Sequence, residues 1–392
     1  MDINQLVQSE IQDFITKNLT SDSTKLALKK NPFSEVNYTD IIHQIVSKKK
    51  AKDKLPTWYS TANIIYPEKI SIEQTSSEIT AKYKASLVSG INLMDCTGGF
   101  GIDDYYFAKN FKNVIHCEIN NNLSEIVHHN FKQLKVENIT CSSGDSTEIL
   151  QNIKQQFDCI YIDPSRRNDA KGKVFLLADC LPNVVDLQDF YYEFTNTILI
   201  KTAPILDIQA GLVELKDVAE IYIVAVENEV KEVLWLIKKG FVEIPVIYAV
   251  NIEKEKSVTT KIELSKEYQA TFSLPKKYLY ESNASLMKSG GFEAVSELFD
   301  VNKLHQHSHL YTSDAIKEFQ GRRFKIIQEV PFQKNDLKQY IQNQKMNVST
   351  RNFPLKPEEI KKKYKIQDGG TLFAFFTTNL KNEKIVLLCT KI

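Results

Sequence analysis

Long apolar runs are missing from this chain. Nothing among its 392 residues approaches the roughly 18 consecutive apolar positions of a membrane span, so no transmembrane segment is expected. The opening, Met1-Asp2-Ile3-Asn4-Gln5, is polar and helical in pattern, and no signal peptide is expected there. Cysteine is sparse, six residues with no C-x-x-C pair. Cys96, Cys117, Cys141 and Cys159 each fall on a predicted parallel strand and read as small buried hydrophobes. Together these absences predict a reduced, cytoplasmic protein, with no membrane partner and no obligate protein partner to infer. Internal repeats are also absent. Excess charge is nearly so: 50 Lys+Arg against 49 Asp+Glu leave +1, which by itself says nothing for nucleic acid.

What is present is a globular composition, 42% hydrophobic and 25% charged, in a chain long enough for two or three domains. The charge is unevenly spread. Residues 320–392 hold 15 Lys+Arg and 6 Asp+Glu, a local +9, so residues 1–319 carry −8. A basic tail beside an acidic body suggests an anionic macromolecular partner, the plain alternative being a solvated lysine face.

Residues 1–55 read as helices, with one apolar stripe at Leu6, Val7, Ile11, Phe14 and Ile15. A second, at Ile41, Ile42, Ile45 and Val46, follows a cap at Thr39-Asp40, and Pro56 ends the segment. From 56 to 255 strand and helix alternate. Strands are predicted at 91–97, 114–119, 138–143, 157–163, 196–202, 219–227 and 230–237, and helices at 77–88, 102–110, 122–134 and 146–154. The last two strands are too close for a crossover helix and must pair antiparallel. The fold class is therefore α/β, a Rossmann-like seven-stranded sheet covered on both faces. Residues 256–320 and 321–392 read as two small α+β modules. Their predicted strands are Lys261 to Leu264, Gln269 to Phe272, Phe324 to Val330, Leu372 to Thr377 and Lys384 to Cys389, with helices at 334–343 and 357–364.

The most informative stretch is Met94-Asp95-Cys96-Thr97-Gly98-Gly99-Phe100-Gly101, between a strand and a helix. Glycines in such a turn let backbone N–H groups approach a ligand, and Glu118, about twenty residues on, suits a ribose diol. A dinucleotide fingerprint needs a third glycine where Asp104 stands, and Asp103 and Asp104 would repel a pyrophosphate at the helix N-terminus. S-adenosylmethionine has no phosphate, and its cationic groups favour carboxylates such as Asp95. Asp145, at the end of the third strand, can accept from the adenine amine or cap the helix that follows. Ser76 or Ser77 caps the helix before the first strand, whose N-terminus either faces the cofactor's methionine carboxylate or is merely capped.

The fourth strand ends in Ile162-Asp163-Pro164-Ser165-Arg166-Arg167, at the sheet edge where ligands bind. In methyltransferases acting on exocyclic base amines an Asp or Asn followed by Pro stands at such a place, accepting the amine's hydrogens and turning its lone pair toward the methyl group; the plain alternative is a loop turn with two solvated arginines. Asp163, Pro164 and Ser165 are thus the candidate catalytic residues. Arg166 and Arg167 offer forked donors to a substrate phosphate. Lys201, at the end of the fifth strand, serves either that phosphate or Asp163, and Asp207 reads as a helix cap. His305, His307 and His309 would share a face if on a strand, but no cysteine or carboxylate set accompanies them, and no metal site is assigned.

Asp95-Cys96-Thr97-Gly98-Gly99-Phe100-Gly101, Asp163-Pro164-Ser165-Arg166-Arg167, Tyr278-Leu279-Tyr280-Glu281-Ser282-Asn283-Ala284 and Arg351-Asn352-Phe353-Pro354-Leu355 together resemble bacterial class I methyltransferases with a C-terminal THUMP-like domain. The resemblance runs from about Leu55 to the end, and trimethylguanosine synthase-type RNA enzymes are distant relatives. It implies an S-adenosylmethionine-dependent methyltransferase whose C-terminal part, 321–392, binds RNA, tRNA or rRNA. In that reading Asp95, Thr97, Gly98, Gly99, Gly101 and Ser76 frame the methionine end, Glu118 holds ribose and Asp145 adenine. One departure stands out: base-amine enzymes usually carry a second Pro and an aromatic where Ser165 and Arg166 stand. Base stacking would then fall to Tyr161 or Phe175, or the acceptor is not a base. A methyltransferase of protein or small molecules, and a non-catalytic RNA-binding protein retaining the pocket, remain as alternatives.

Overall fold

Strands that are apolar along their length need cover on both faces, and the computed structural model supplies it. It describes residues 1–67, 72, 75–166, 176–254 and 256–392, with Arg166 by its backbone alone. The chain divides into two compact units, Met1–Ile221 with Lys231–Glu243, and Tyr222–Val230 with Ile244–Ile392.

The first unit opens with α1 (Ile3–Leu6), α2 (Ser9–Lys17), α3 (Ser23–Ala27), α4 (Tyr38–Lys54) and α5 (Pro56–Ser60). Leu6, Ile11, Ile15, Ile41 and Ile45 of the two predicted stripes are buried. The cap of α4 is Asn37, which accepts from Thr39 N at 3.0 Å. The Thr39-Asp40 pair expected there lies in the first turn instead, because an asparagine two residues earlier satisfies the exposed N–H. Pro56 starts α5 rather than merely ending α4; at the first helical position its missing N–H costs nothing. These helices are tied to the rest of the unit by buried amides. Gln44 exchanges two hydrogen bonds with the backbone of Tyr66 (2.7 and 2.9 Å), and Asn130 does the same with Ile65 (2.8 and 2.9 Å). The segment 65–66 is thereby paired as a strand would be, without a strand.

The unit continues through α6 (Glu78–Ala85), β1 (Gly90–Asp95), α7 (Ile102–Phe107), β2 (Phe111–Glu118), α8 (Asn121–Gln133), β3 (Ile139–Ser143), α9 (Ser146–Ile153) and β4 (Cys159–Ile162). A short ribbon, β5 (Ser165–Arg166) with β6 (Cys180–Leu181), precedes α10 (Val184–Tyr191), β7 (Thr197–Thr202), α11 (Ile208–Glu214), β8 (Val218–Val226) and β9 (Glu229–Lys238), residues Tyr222–Val230 of the last two strands and their turn counting with the second unit. β1 lies parallel between β2 and β4, β2 pairs with β3, and β4 with β7. The C-terminal ends of these five strands therefore share one edge, where the predicted motifs sit. β9 is antiparallel to β7. Glu227 and Asn228, both at positive φ (47° and 63°), make the two-residue turn into β9, as the short spacing required. The sheet order is β11-β10-β8-β9-β7-β4-β1-β2-β3. It contains the seven strands predicted for it and two more, β10 (Val246–Glu253) and β11 (Lys256–Glu263), an antiparallel hairpin. The strand predicted at 261–264 for the following module falls largely in β11 and so belongs to this sheet, because its ladder with β10 satisfies its backbone there. No described helix is long and apolar enough to cross a membrane.

The second unit carries β12 (Tyr278–Ser282), α12 (Ala284–Ser289), α13 (Phe292–Leu298), β13 (Asn302–Lys303), β14 (Leu310–Ser313), β15 (Gly321–Pro331), α14 (Lys334–Tyr340), β16 (Asn347–Arg351), α15 (Pro357–Tyr364), β17 (Leu372–Thr378) and β18 (Lys384–Lys391). Its sheet runs β13-β14-β12-β15-β18-β17-β16. Period-two burial divides the core between the faces. Leu279, Leu310, Phe324, Phe375 and Leu387 pack together, while Ala374, Phe376, Val386 and Leu388 pack with Leu337 of α14 and Ile360 of α15. The strand expected at 269–272 is reduced to a single bridge, Phe272 to Lys303. The three histidines occupy a turn rather than a strand, with His309 at φ 50°. They do not share a face: His305 bonds Asn352 and Asn382, and His309 stacks on Phe292 at 3.5 Å.

Candidate functional site

The chain leaves β1 at Asp95 and turns through Gly98, Gly99 and Gly101 into α7. Gly99 and Gly101 have φ of 54° and 75°, where a side chain is strained. Gly98 is required for another reason. A Cβ there would stand 2.1 Å from His116 Nδ1, and that imidazole is fully buried and bonded to Asp104 Oδ2 at 2.8 Å. Glu118, at the end of β2, accepts from Gly99 N (3.1 Å) and Asn120 N (2.8 Å), so it already grips the loop. Asp95 Oδ1 accepts from Thr97 N at 2.7 Å and from its hydroxyl at 3.1 Å.

Thr97 joins this loop to the fourth strand: its Oγ1 accepts from Asp163 N at 2.7 Å. Asp163 Oδ2 pairs with Lys201 Nζ at 2.5 Å. Of the two roles open to Lys201, the pairing with Asp163 is the one present. Burial alone would lower the lysine's pKa, but Asp163, Asp103 and Glu232 raise it above the ordinary value. Beneath lies a polar network. Buried Lys84 of α6 reaches Glu232 Oε2 at 2.7 Å, Ser76 Oγ at 3.1 Å and Asp103 Oδ1 at 3.2 Å. Asp103 Oδ2 accepts from Ser76 (2.8 Å) and Tyr161 (2.9 Å). Burial works against the Asp103 charge, yet Lys84 and Lys201 hold its pKa below the carboxylate range. Asp95 and Asp104 behave oppositely: burial, with a neighbouring carboxylate, pushes both well upward. The two aspartates after the glycine loop therefore do not present a bare negative pair, as the sequence suggested; one is paired and the other is turned inward to His116.

Ser77, not Ser76, caps α6, through a capping box with Thr80. Ser76 lines a cleft of about 140 Å³ with Thr75, Asp95, Thr97, Gly98, Gly99, Gly101, Asp103 and Asp163. Asp145 caps α9, accepting from Thr147 N (2.8 Å), Glu148 N (3.4 Å) and the Thr147 hydroxyl, all on Oδ1. Asp207 caps α11 as expected. After Asp163-Pro164, Ser165 and Arg166 pair antiparallel with Leu181 and Cys180. Arg167 and Phe175 lie outside the described residues. Tyr161 is not available to stack a base: its ring is buried against Phe107 and its hydroxyl is held by Asp103.

Residues 278–319 match a ferredoxin-like domain and residues 321–391 a THUMP domain-like domain. No curated protein matches the chain. A provisionally assigned methyltransferase from Porphyromonas gingivalis W83, solved by crystallography, is 30% identical over 100% of this chain and 99% of its own, with a TM-score of 0.89. The chain belongs to this methyltransferase family. More remote matches are an rRNA methylase from Streptococcus thermophilus, 12% identical over 41% of this chain and 94% of its own at TM-score 0.30, and TrmK from M. capricolum bound to S-adenosyl-homocysteine, 13% identical over 41% and 68% at 0.33. Likeness at that level carries no argument about substrate.

Four residues of the methyltransferase went unread in the sequence. Lys84 and Glu232 lie 148 positions apart, and only the closed sheet brings them to Asp103. His116 is hidden in an apolar strand, although Gly98 beside it was visible. Ile119, after Glu118, is 75% exposed at the same sheet edge, an apolar side chain where a polar one was free to stand.

Proposed function

We propose that the methyltransferase uses S-adenosylmethionine to methylate a nitrogen of a base in structured RNA, tRNA or rRNA. The observation that carries this reading is the junction at Thr97, which ties the glycine loop to the backbone of Asp163. Cofactor loop and acceptor station are thus one rigid assembly. The residues fit the cofactor. Three glycines open the loop, and Asp95, Asp103 and Asp163 line the small cleft that would take the methionyl end. Glu118 would hold the ribose, Ile119 would offer an apolar face to adenine, and Asp145, whose hydrogen bonds among the described residues are all on Oδ1, has Oδ2 for the adenine amine. When bound, the cofactor supplies an electrophilic methyl group on a sulfonium.

The chain's own part is orientation. Lys201 fixes Asp163 Oδ2, and Oδ1, with no hydrogen bond among the described residues, accepts an N–H of the incoming amine. The carbonyls around rigid Pro164 accept the other hydrogen, which aims the nitrogen lone pair along the cleft. Arg166 and Arg167, next in sequence after Ser165, would supply the donors for substrate phosphate. The RNA assignment rests on the +9 charge of residues 320–392 and on the THUMP-like match. A protein or small-molecule acceptor is the second reading, favoured by the burial of Tyr161, which removes one stacking candidate.

The test is transfer of labelled methyl from S-adenosylmethionine to total RNA of a strain lacking the gene, beside Asp163→Ala. Label in one RNA size class with the native protein alone supports the reading. Undiminished labelling by Asp163→Ala removes the acceptor role, and label appearing only in protein or small molecules favours the second reading.

A further inference from the structure

The second unit contains a basic groove that the catalytic residues do not account for. Its larger part, about 1060 Å³, is lined by Lys254, Lys256, Arg322, Arg323 and Lys391, with Phe299 and Phe319. A smaller part, about 350 Å³, shares Asn228 and Arg322 with it and adds Glu281 and Arg351. The two therefore adjoin. Small-molecule pockets span about 300–1,000 Å³ and are mostly apolar; the two parts together exceed that volume, and most of the lining residues are charged or amide-bearing.

Its floor is built. Glu281, 3% exposed, sits between two guanidinium groups, accepting from Arg322 Nε at 2.6 Å and from Arg351 at 2.8 Å. The motifs Tyr278 to Ala284 and Arg351 to Leu355, which sequence left without a task, meet at this carboxylate. Asn228 is fixed as well: Asn251 accepts from its backbone at 3.1 Å, and its own side chain accepts from Ala284 N at 2.7 Å. By contrast Lys254, Lys256, Arg323 and Lys391 have no ion pair among the described residues, and all but half-buried Arg323 are exposed. The acidic residues of the larger part are Glu253 and Glu318, so cations outnumber them.

We propose that this groove carries the sugar–phosphate backbone of the RNA, with Lys254, Lys256, Arg323 and Lys391 on successive phosphates and Arg322, oriented by Glu281, at the narrow end. The proposal rests on the RNA reading above and says where, in the second unit, the strand is held. An extended polyanion matches a row of unpaired cations on an ordered floor better than a compact ligand does.

The experiment is fluorescence anisotropy of the full chain with a labelled total-tRNA pool and with an rRNA fragment, across a salt series. It compares the native protein, a Lys254→Ala/Lys256→Ala/Arg323→Ala/Lys391→Ala variant, and a control with Lys361→Ala/Lys362→Ala/Lys363→Ala on α15. Melting temperature and S-adenosylmethionine binding verify folding. The groove variant should bind at least tenfold more weakly at low salt. Its slope of log K against log salt should be shallower by about 0.7 for each single-strand phosphate no longer neutralised. The α15 control should keep affinity and slope. Equal affinity and slope for the groove variant, with weaker binding by the α15 control, would overturn the groove while leaving the RNA reading intact. Absence of RNA binding by the native protein at any salt would overturn both.

Discussion

Lys84 offers the sharpest test of how the first unit is held together. Its ammonium, fully buried, is shared by Glu232 at 2.7 Å and Asp103 at 3.2 Å, both carboxylates also buried. In Lys84→Met the chain length is kept and the charge removed, so two carboxylates remain in a low-dielectric interior. Asp103 retains Ser76 and Tyr161 as donors. Glu232 Oε1 has no hydrogen-bond partner among the described residues even in the native structure, so Glu232 is the group left exposed to the full penalty. Breaking such a pair from one side costs about 3–5 kcal/mol. For a unit of this size that lowers the melting temperature by roughly 6–20 °C. The sign with pH follows from linkage. Burial already raises the Glu232 carboxyl in the native structure; without Lys84 its folded pKa lies further above the unfolded one, so the variant loses stability as pH rises through the range between them. Its deficit should therefore be largest near neutrality and shrink toward about pH 4. Adding Glu232→Met to Lys84→Met should recover a large part of the loss, because an apolar pair of similar volume replaces the ion pair. Calorimetry at pH 7.5 and 4.5 on the three proteins reads all of this. A single variant melting within about 2 °C of native at pH 7.5, or a double variant no better than the single, would refute the argument.

Thr97→Val removes the hydroxyl that receives Asp163 N at 2.7 Å but keeps the shape; kcat should fall by tenfold or more with KM for S-adenosylmethionine changed far less, and Thr97→Ser should restore it. Equal loss in both variants would exclude the hydroxyl as the cause. His309, stacked on Phe292, has its pKa lowered to about 4 by burial and by Lys303, against the opposing pull of Glu293. Its stabilising contribution is complete above the unfolded value near 6.5 and is lost as pH falls toward 4, since only the unfolded chain takes up the proton. Melting followed from pH 7.5 to 4.5 should show a shallower decline for His309→Asn than for native protein; parallel declines would rule His309 out as the source.

The sheet was legible because its cause is local. Near-continuous apolar strands, amphipathic helices and a glycine turn are written within windows of a dozen residues, and predicted and observed strands agree to within a few positions for β1 to β4 and β7 to β9, while the two-residue β5 and β6 were not read. The three-residue gap before the seventh strand even fixed its antiparallel sense. Where two local signals competed, Asn37 displaced Thr39-Asp40 as a cap, whereas of the two caps left open, Ser76 or Ser77, the structure uses Ser77. Strands β12, β14 and β16 were missed because each is short and packed among neighbours distant in sequence. The histidine triplet, which would have shared a face only on a strand, occupies a turn with His309 at positive φ.

By itself, then, the sequence determined the class of fold, the order of the motifs along one sheet edge, and the chemistry that Asp95, Glu118 and Asp163 have to offer. Only the tertiary structure decided what those groups are bonded to. Lys84 reaches Glu232 across 148 residues, Glu281 reaches Arg351 across 70, and Thr97 reaches Asp163 across 66. Propensity and periodicity act along the chain, whereas the cost of leaving a buried charge unpaired acts through space and selects partners without regard to their separation in sequence.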